Sequence, residues 1–228
     1  MPYILNQYNT FEQRLRMVIL YTFINESKHQ DLLDRYLSSF PEDFQQGILK
    51  YRRWQDAQLS LLGRVLLQLG LKSYYHVDDA QILRSDDHKP YLKDQDLHFN
   101  ISHSKELVAC VIAEFPIGID VEFIDHTLHY QDFQFQMTKS EFDKIEGSED
   151  QIGDFFSYWT RKESVMKAHG GGMMIPLDSF EILNNECKID SKKFFTKDFF
   201  INENYQSCIA SCSENIKNVV PFFISPEI

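Results

Sequence analysis

The hydrophobic pattern changes period several times along the chain. Met17 to Ile24, MVILYTFI, is a continuous apolar, β-branched run of strand length, although length alone does not separate it from a buried helix. From Ser27 to Ser38 the spacing becomes helical, with Leu32, Leu33, Tyr36 and Leu37 inward. The same spacing continues from Pro41 to Gly70 through Ile48, Leu49, Leu59, Leu61, Leu62, Val65, Leu66 and Leu69, with a break expected near Trp54. Leu97 to Ser104, LHFNISHS, alternates as a strand does. Leu107 to Ala113 and Ile117 to Phe123 are apolar strands joined at Phe115-Pro116, which predicts a hairpin or near-hairpin. Thr138 and Glu141 form a possible capping box for the helix TKSEFDKIEG. A polar loop then leads to a second helix within Phe155 to Gly172, FFSYWTRKESVMKAHGGG, whose glycines suit a helix C-terminus. Ile175 to Leu183, Lys193 to Ile201, Tyr205 to Ser213 and Val219 to Ile224 read as short strands, expected to form an antiparallel sheet closing the second half. With no low-complexity linker, and with strand and helix in both halves, the pattern predicts an α+β fold of two related lobes.

Composition narrows the function classes. The 228 residues carry a formal net charge of -11, which argues against a general nucleic-acid binder or attachment to anionic membranes, since both need a positive field. Cys110, Cys187, Cys208 and Cys212 show no CxxC pair and no clear zinc spacing, so buried free thiols in a reducing compartment are expected. The N-terminus has no apolar core of signal-peptide length, and Met17 to Ile24 is too short to span a bilayer. A cytoplasmic protein is the expectation.

Candidate chemistry concentrates at two places. Trp159, Glu163 and Lys167 stand at i, i+4 and i+8, on one helix stripe. Glu followed by Lys four residues later is also the commonest helix-surface pair. In IGIDVEF, Ile119 and Val121 face one way and Asp120 and Glu122 the other. Two carboxylates on one strand face repel unless a cation or solvent separates them, so they mark either a hard-metal site or a wet strand face. His126 and His129 lack a third ligand at helical spacing and are not read as a zinc site. Lys50, Arg52, Arg53 and Arg64 form a basic concentration in an acidic chain. Pro90 in HKPYL fixes a turn or extended segment that exposes Lys89, and polar residues such as Asn100, Ser102, His103 and Ser104 at a strand end commonly hold a turn.

HKP, FNISHS, GIDVE and WTRKESVMKAHG occur in one order, and together the chain resembles the 4'-phosphopantetheinyl transferases of the surfactin-synthetase type, which carry GKP, FNxSHS, GxDxE and WxxKEAxxKxxG. IPLDSF at Ile175 to Phe180 extends the similarity. The resemblance implies a pseudo-twofold fold, with residues 1–115 as an N-terminal lobe and 116–228 as a C-terminal lobe. Coenzyme A and a divalent cation, usually Mg²⁺, would lie between them. By motif position it implies Asp120, Glu122 and Glu163 as metal ligands, with Lys167 beside the phosphates. Ser102, His103, Lys89 and Ser60 would contact coenzyme A. Lys50 is the choice for a further 3'-phosphate contact, with Arg53 and Arg52 as rivals.

The implied reaction is phosphoryl transfer: the serine of an apo carrier protein attacks the phosphate bearing pantetheine, and 3',5'-ADP leaves. Asp120, Glu163 and Lys167 would be the catalytic set, Glu163 taking the serine proton directly or through a water on the cation. His88 replaces the glycine of GKP, and Ser164 stands where alanine is common. An apolar patch of Phe133, Phe135 and Met137 is expected to dock the acidic carrier, and a monomer is expected because one chain supplies both sides of the cleft. The competing readings are a Mg²⁺-dependent hydrolase of coenzyme A or another nucleotide pyrophosphate, and a non-catalytic coenzyme A or carrier-protein binding module. Retention of all four charged residues, Asp120, Glu122, Glu163 and Lys167, weakens the second.

Overall fold

In the computed structural model the described residues are 17–85, 89–171, 175–217 and 221–225. The apolar run at Met17–Phe23 is strand β1, and Leu107–Ala113 is β5, buried along its whole length. Together with His98–Ser104 (β4) and Pro221–Phe223 (β10) they form a sheet in the order β10-β1-β5-β4. A small pair, Ile82–Arg84 (β2) and Pro90–Leu92 (β3), stands apart.

Alternation sends the two faces of the large sheet to different partners. Val18, Leu20, Phe99, Val108, Cys110 and Ile112 face a helical layer. That layer contains His29–Tyr36 (α1), Glu42–Leu49 (α2) and the long helix Trp54–Tyr75 (α3), with the expected break falling at Lys50 to Arg53. Glycine at 63 and 70 suits the close approach of α3: a Cβ there would come within 3 Å of Ile101 and Ile112 respectively. Each fully buried Leu, Ile or Val in this layer contributes roughly 1.5–3 kcal/mol.

The opposite face, through Ile19, Leu107, Ala109, Val111 and Ala113, meets Ile117, Ile119 and Val121 of a second sheet. Ile117–Phe123 (β6), Glu186–Ile189 (β7), Lys192–Asp198 (β8) and Tyr205–Ser211 (β9) make up that sheet in the order β6-β9-β8-β7, all antiparallel. Its other face carries Gln151–His169 (α5), preceded by Lys139–Glu146 (α4). The capping box of α4 is present: Glu141 N–H donates to Thr138 Oγ1 and Thr138 N–H to Glu141 Oε2. Gly170, at φ +89°, ends α5 in the left-handed conformation that glycine adopts without a Cβ clash.

Several expectations need correcting. β5 and β6 do not form a hairpin; β5 pairs with β1 and β4, and β6 pairs with β9. Both strands are apolar on the faces that meet, so they stack across sheets rather than share a ladder. The last strand, β10, lies parallel to β1 in the first sheet and does not close the second. Ile175 to Leu183 is not a strand: Leu177–Ser179 is a 3-10 turn, and the segment is held by a lysine described below. Gly172, His88, Val219 and the N-terminal segment read for a signal peptide lie outside the described residues. No helix of the described residues is long and apolar enough to cross a membrane.

Candidate active site

The site begins with a glycine. A Cβ at Gly118 would lie 2.2 Å from the carbonyl oxygen of Ser164 and 2.4 Å from the amide of Ala168, so only glycine lets the backbone of α5 rest on β6. Asp120 and Glu122 lie two and four residues further along, on the same side of the strand as Gly118, so they too face the helix. Asp120 is 2% exposed, which excludes the wet-face reading. Lys167 Nζ lies 2.6 Å from Asp120 Oδ1. The ion pair of Lys167 is therefore made across to β6, not along the helix to Glu163.

Ser102 completes this group. Its hydroxyl donates to Asp120 Oδ1 at 3.0 Å and accepts from Lys167 Nζ at 3.0 Å and from the Val121 amide at 3.3 Å. That uses the one donor and both lone pairs of a serine. Ser104 Oγ donates to Glu122 Oε2 at 2.7 Å. Burial, then the charge of Asp120, pushes the Glu122 carboxyl up to about 7, with Glu163 adding to the effect and Ser104 and Lys167 opposing it. Glu163 is also raised, by burial first and Asp120 second. Lys89 is not exposed as expected. Its ammonium donates to the Lys167 carbonyl at 2.7 Å, at the C-terminal end of α5 where a cation is favoured, and desolvation lowers its pKa.

These residues can be tested against the cation that the motif implies. Among the described residues no three His, Cys, Asp or Glu side chains stand close enough to hold a metal as placed. The chemistry nevertheless fits. Asp120 Oδ2 is buried without a hydrogen-bond partner, and the two neighbouring carboxyls are raised because negative charge is crowded away from water. An all-oxygen donor set of this kind suits a hard divalent ion.

The family model described as the 4'-phosphopantetheinyl transferase superfamily matches residues 116–215, and the 4'-phosphopantetheinyl transferase N-terminal model matches 27–115. The 4'-phosphopantetheinyl transferase gsp of Aneurinibacillus migulanus is 34% identical over 171 residues, covering 68% of this chain and 69% of that protein. This chain belongs to the 4'-phosphopantetheinyl transferase superfamily. The transferase is also similar to Sfp of Bacillus subtilis (strain 168), at 31% identity over 73% of this chain and 76% of that protein. The ffp protein of Bacillus subtilis is 31% identical over 75% of this chain and 78% of its own length.

The remaining motif residues lie on β4, on α3 and at the α2–α3 junction. His103 is exposed at the end of β4, and its pKa is lowered, by desolvation first and by Lys167 next, with Asp56 opposing. Lys50 and Arg53 are exposed at the α2–α3 junction, where Arg53 Nε is 4.0 Å from Asp56 Oδ2. Ser60 is half-buried on α3. None of these joins the hydrogen-bonded group of Lys89, Ser102, Asp120 and Lys167 among the described residues. The expected apolar patch is largely absent: Met137 is buried, and Phe133 packs against Phe155 and Trp159, leaving Phe135 alone at 74% exposure. Those side chains are core for α5 because the 3-10 turn Tyr130–Gln136 does not keep strand alternation.

Four contributors were not singled out from the sequence: Gly118, Asn100, Ser104 and Lys162. Gly118 was legible as a glycine inside an apolar strand. Asn100 and Ser104 share the face of Ser102 at period two, a signal that turn chemistry alone does not explain. Lys162 carries no periodic signal of its own. It is 0% exposed, its Nζ is 2.7 Å from Glu141 Oε1, and it donates to the carbonyls of Leu177, at 2.9 Å, and Phe180. It ties the IPLDSF segment to α5.

Proposed function

We propose that this chain transfers the 4'-phosphopantetheine arm of coenzyme A to a serine of an apo carrier protein, with Mg²⁺, releasing 3',5'-ADP. The observation that carries this reading is the convergence of Lys167, Asp120 and Ser102 beside two carboxyls whose proton affinity is raised. In the reaction the serine oxygen bonds to the phosphorus bearing pantetheine, the bond from that phosphorus to the oxygen bridging to the ADP moiety breaks, and the serine proton passes to a base. Glu163, with its raised proton affinity, is suited to accept that proton. Lys167 and Lys89 bring positive charge to the phosphates as negative charge builds on the leaving side. A divalent cation held by Asp120, Glu122 and Glu163 would screen the phosphates from the approaching nucleophile.

His103, Lys50, Arg53 and Ser60 would hold the nucleotide end of coenzyme A. Ser102, assigned to the same role by motif, has its hydroxyl engaged by Asp120, Lys167 and Val121. Lys89 and Ser102 come from residues 1–115, and Asp120, Glu163 and Lys167 from 116–228, so one cytoplasmic monomer of two pseudo-symmetric lobes would supply the whole site.

The deciding experiment is the intact mass of an apo acyl or peptidyl carrier protein after incubation with this chain, coenzyme A and Mg²⁺, with and without chelator. Gain of one phosphopantetheine arm that is lost with chelator is the expected result. Release of 3',5'-ADP without any gain on several carriers would instead establish a hydrolase.

A further inference from the structure

The two sheets are joined along β4 and β6 by a repeat of side-chain hydrogen bonds. Asn100 Oδ1 accepts from the Ile119 amide at 2.9 Å, Ser102 Oγ from the Val121 amide at 3.3 Å, and Ser104 Oγ from the Phe123 amide at 3.0 Å. β6 is an edge strand of its sheet. Its alternate amides point away from β9 and would otherwise need water or another strand. The side chains of β4 that face it, spaced at period two, satisfy those amides one after another. The two serines do more: each also donates to the carboxylate one residue before the amide it accepts from, Ser102 to Asp120 and Ser104 to Glu122.

We infer that Asn100 and Ser104 are positioning residues: both set the register of β6 against β4, and Ser104 also aims the Glu122 carboxylate oxygen that remains free, as Ser102 does for Asp120. For Glu122 the role as a cation ligand rests on the proposed reaction; the register does not. A slip of β6 by one residue would turn Ile119 and Val121 out of the apolar inter-sheet layer and Asp120 and Glu122 into it. Binding one oxygen of each carboxylate by a hydroxyl fixes its rotamer and leaves the other oxygen available. Asp120 Oδ2, buried without a partner, is such an oxygen. Outer partners of this kind typically change metal affinity or activity by about 10–100-fold when removed.

The test compares Asn100→Ala, Ser104→Ala and Ser104→Thr in the full chain. Amide hydrogen exchange is followed at Ile119 and Phe123, and Mn²⁺ is titrated by electron paramagnetic resonance with coenzyme A present. Asn100→Ala is expected to speed exchange at Ile119, and Ser104→Ala at Phe123, by about tenfold or more, with distant β8 amides unchanged. Ser104→Ala is expected to weaken Mn²⁺ binding by about 10–100-fold, and Ser104→Thr, which keeps the hydroxyl, to recover most of it. Unchanged exchange at these amides overturns the register role. Unchanged Mn²⁺ affinity in Ser104→Ala, or no recovery in Ser104→Thr, overturns the carboxylate role. Ser104 is only partly buried, at the turn end of β4, so its variants decide the matter even if Asn100→Ala does not fold. The exchange readout is independent of turnover, so a failure of carrier modification by the unaltered chain is distinguishable from a failure of this inference.

Discussion

The Lys167 ammonium lies 2.6 Å from Asp120 Oδ1, tying the last turn of α5 to the middle of β6. Lys167 is about a third exposed and Asp120 almost wholly buried. Lys167→Ala should therefore cost about 1–3 kcal/mol, less than the loss expected for a fully buried pair, because Ser102 still satisfies the carboxylate. Carrier modification should fall by about 10²–10³-fold if the lysine steadies charge in the transition state. Chemical denaturation and single-turnover transfer measure the two effects. Full activity in a correctly folded variant would count against the proposed role.

Glu163→Gln separates chemistry from stability. Burial and the Asp120 charge disfavour the ionised carboxyl, so the neutral isostere should leave the melting temperature unchanged or higher in metal-free protein. Transfer should drop by about 10²–10⁴-fold, with much of the coenzyme A affinity kept. A variant with unaltered rate would remove Glu163 from the mechanism.

Gly118→Ala brings a methyl group against backbone atoms of Ser164 and Ala168, neither of which can rotate away. Moving α5 off β6 should cost roughly 1–3 kcal/mol or more and separate Lys167 from Asp120. Thermal unfolding with near-ultraviolet circular dichroism reads this, and an unshifted melting temperature would contradict the close approach.

Lys162→Met strips the partner from Glu141 and from the carbonyls of Leu177 and Phe180. Breaking this buried pair should destabilise the fold by about 3–5 kcal/mol, and adding Glu141→Gln should recover part of the loss. A double-mutant cycle in urea measures the coupling; additive losses would show that the pair is not coupled.

Thiol accessibility follows from burial. Cys110, Cys187 and Cys208 are buried and Cys212 is exposed, and burial pushes the Cys110 and Cys208 thiols up. A chromogenic disulfide reagent should label one thiol per native chain and four after denaturation. Rapid labelling of more than one in native protein would disprove the packing around β5 and β9.

The sequence by itself determined much of the element list and the identity of the charged residues. Period-two alternation placed Asp120 and Glu122 on one side of β6, and helical spacing put Glu163 and Lys167 on one stripe of α5, because both periods are properties of the local backbone. Helix α4 was legible to its cap for the same reason. Strand partners were not. β5 and β6 are adjacent in the chain and equally apolar, and only the competition among β1, β4 and β9 for their edges decides that they stack instead of pairing. The tertiary structure likewise decided that Lys167 answers Asp120 instead of Glu163, that Phe133 and Met137 point inward, and that the polar face of β4 satisfies the free amides of β6. Each of these depends on which distant group arrives to fill a donor, an acceptor or an apolar surface. Local periodicity shows which way a side chain faces, and only the folded chain supplies what it meets there.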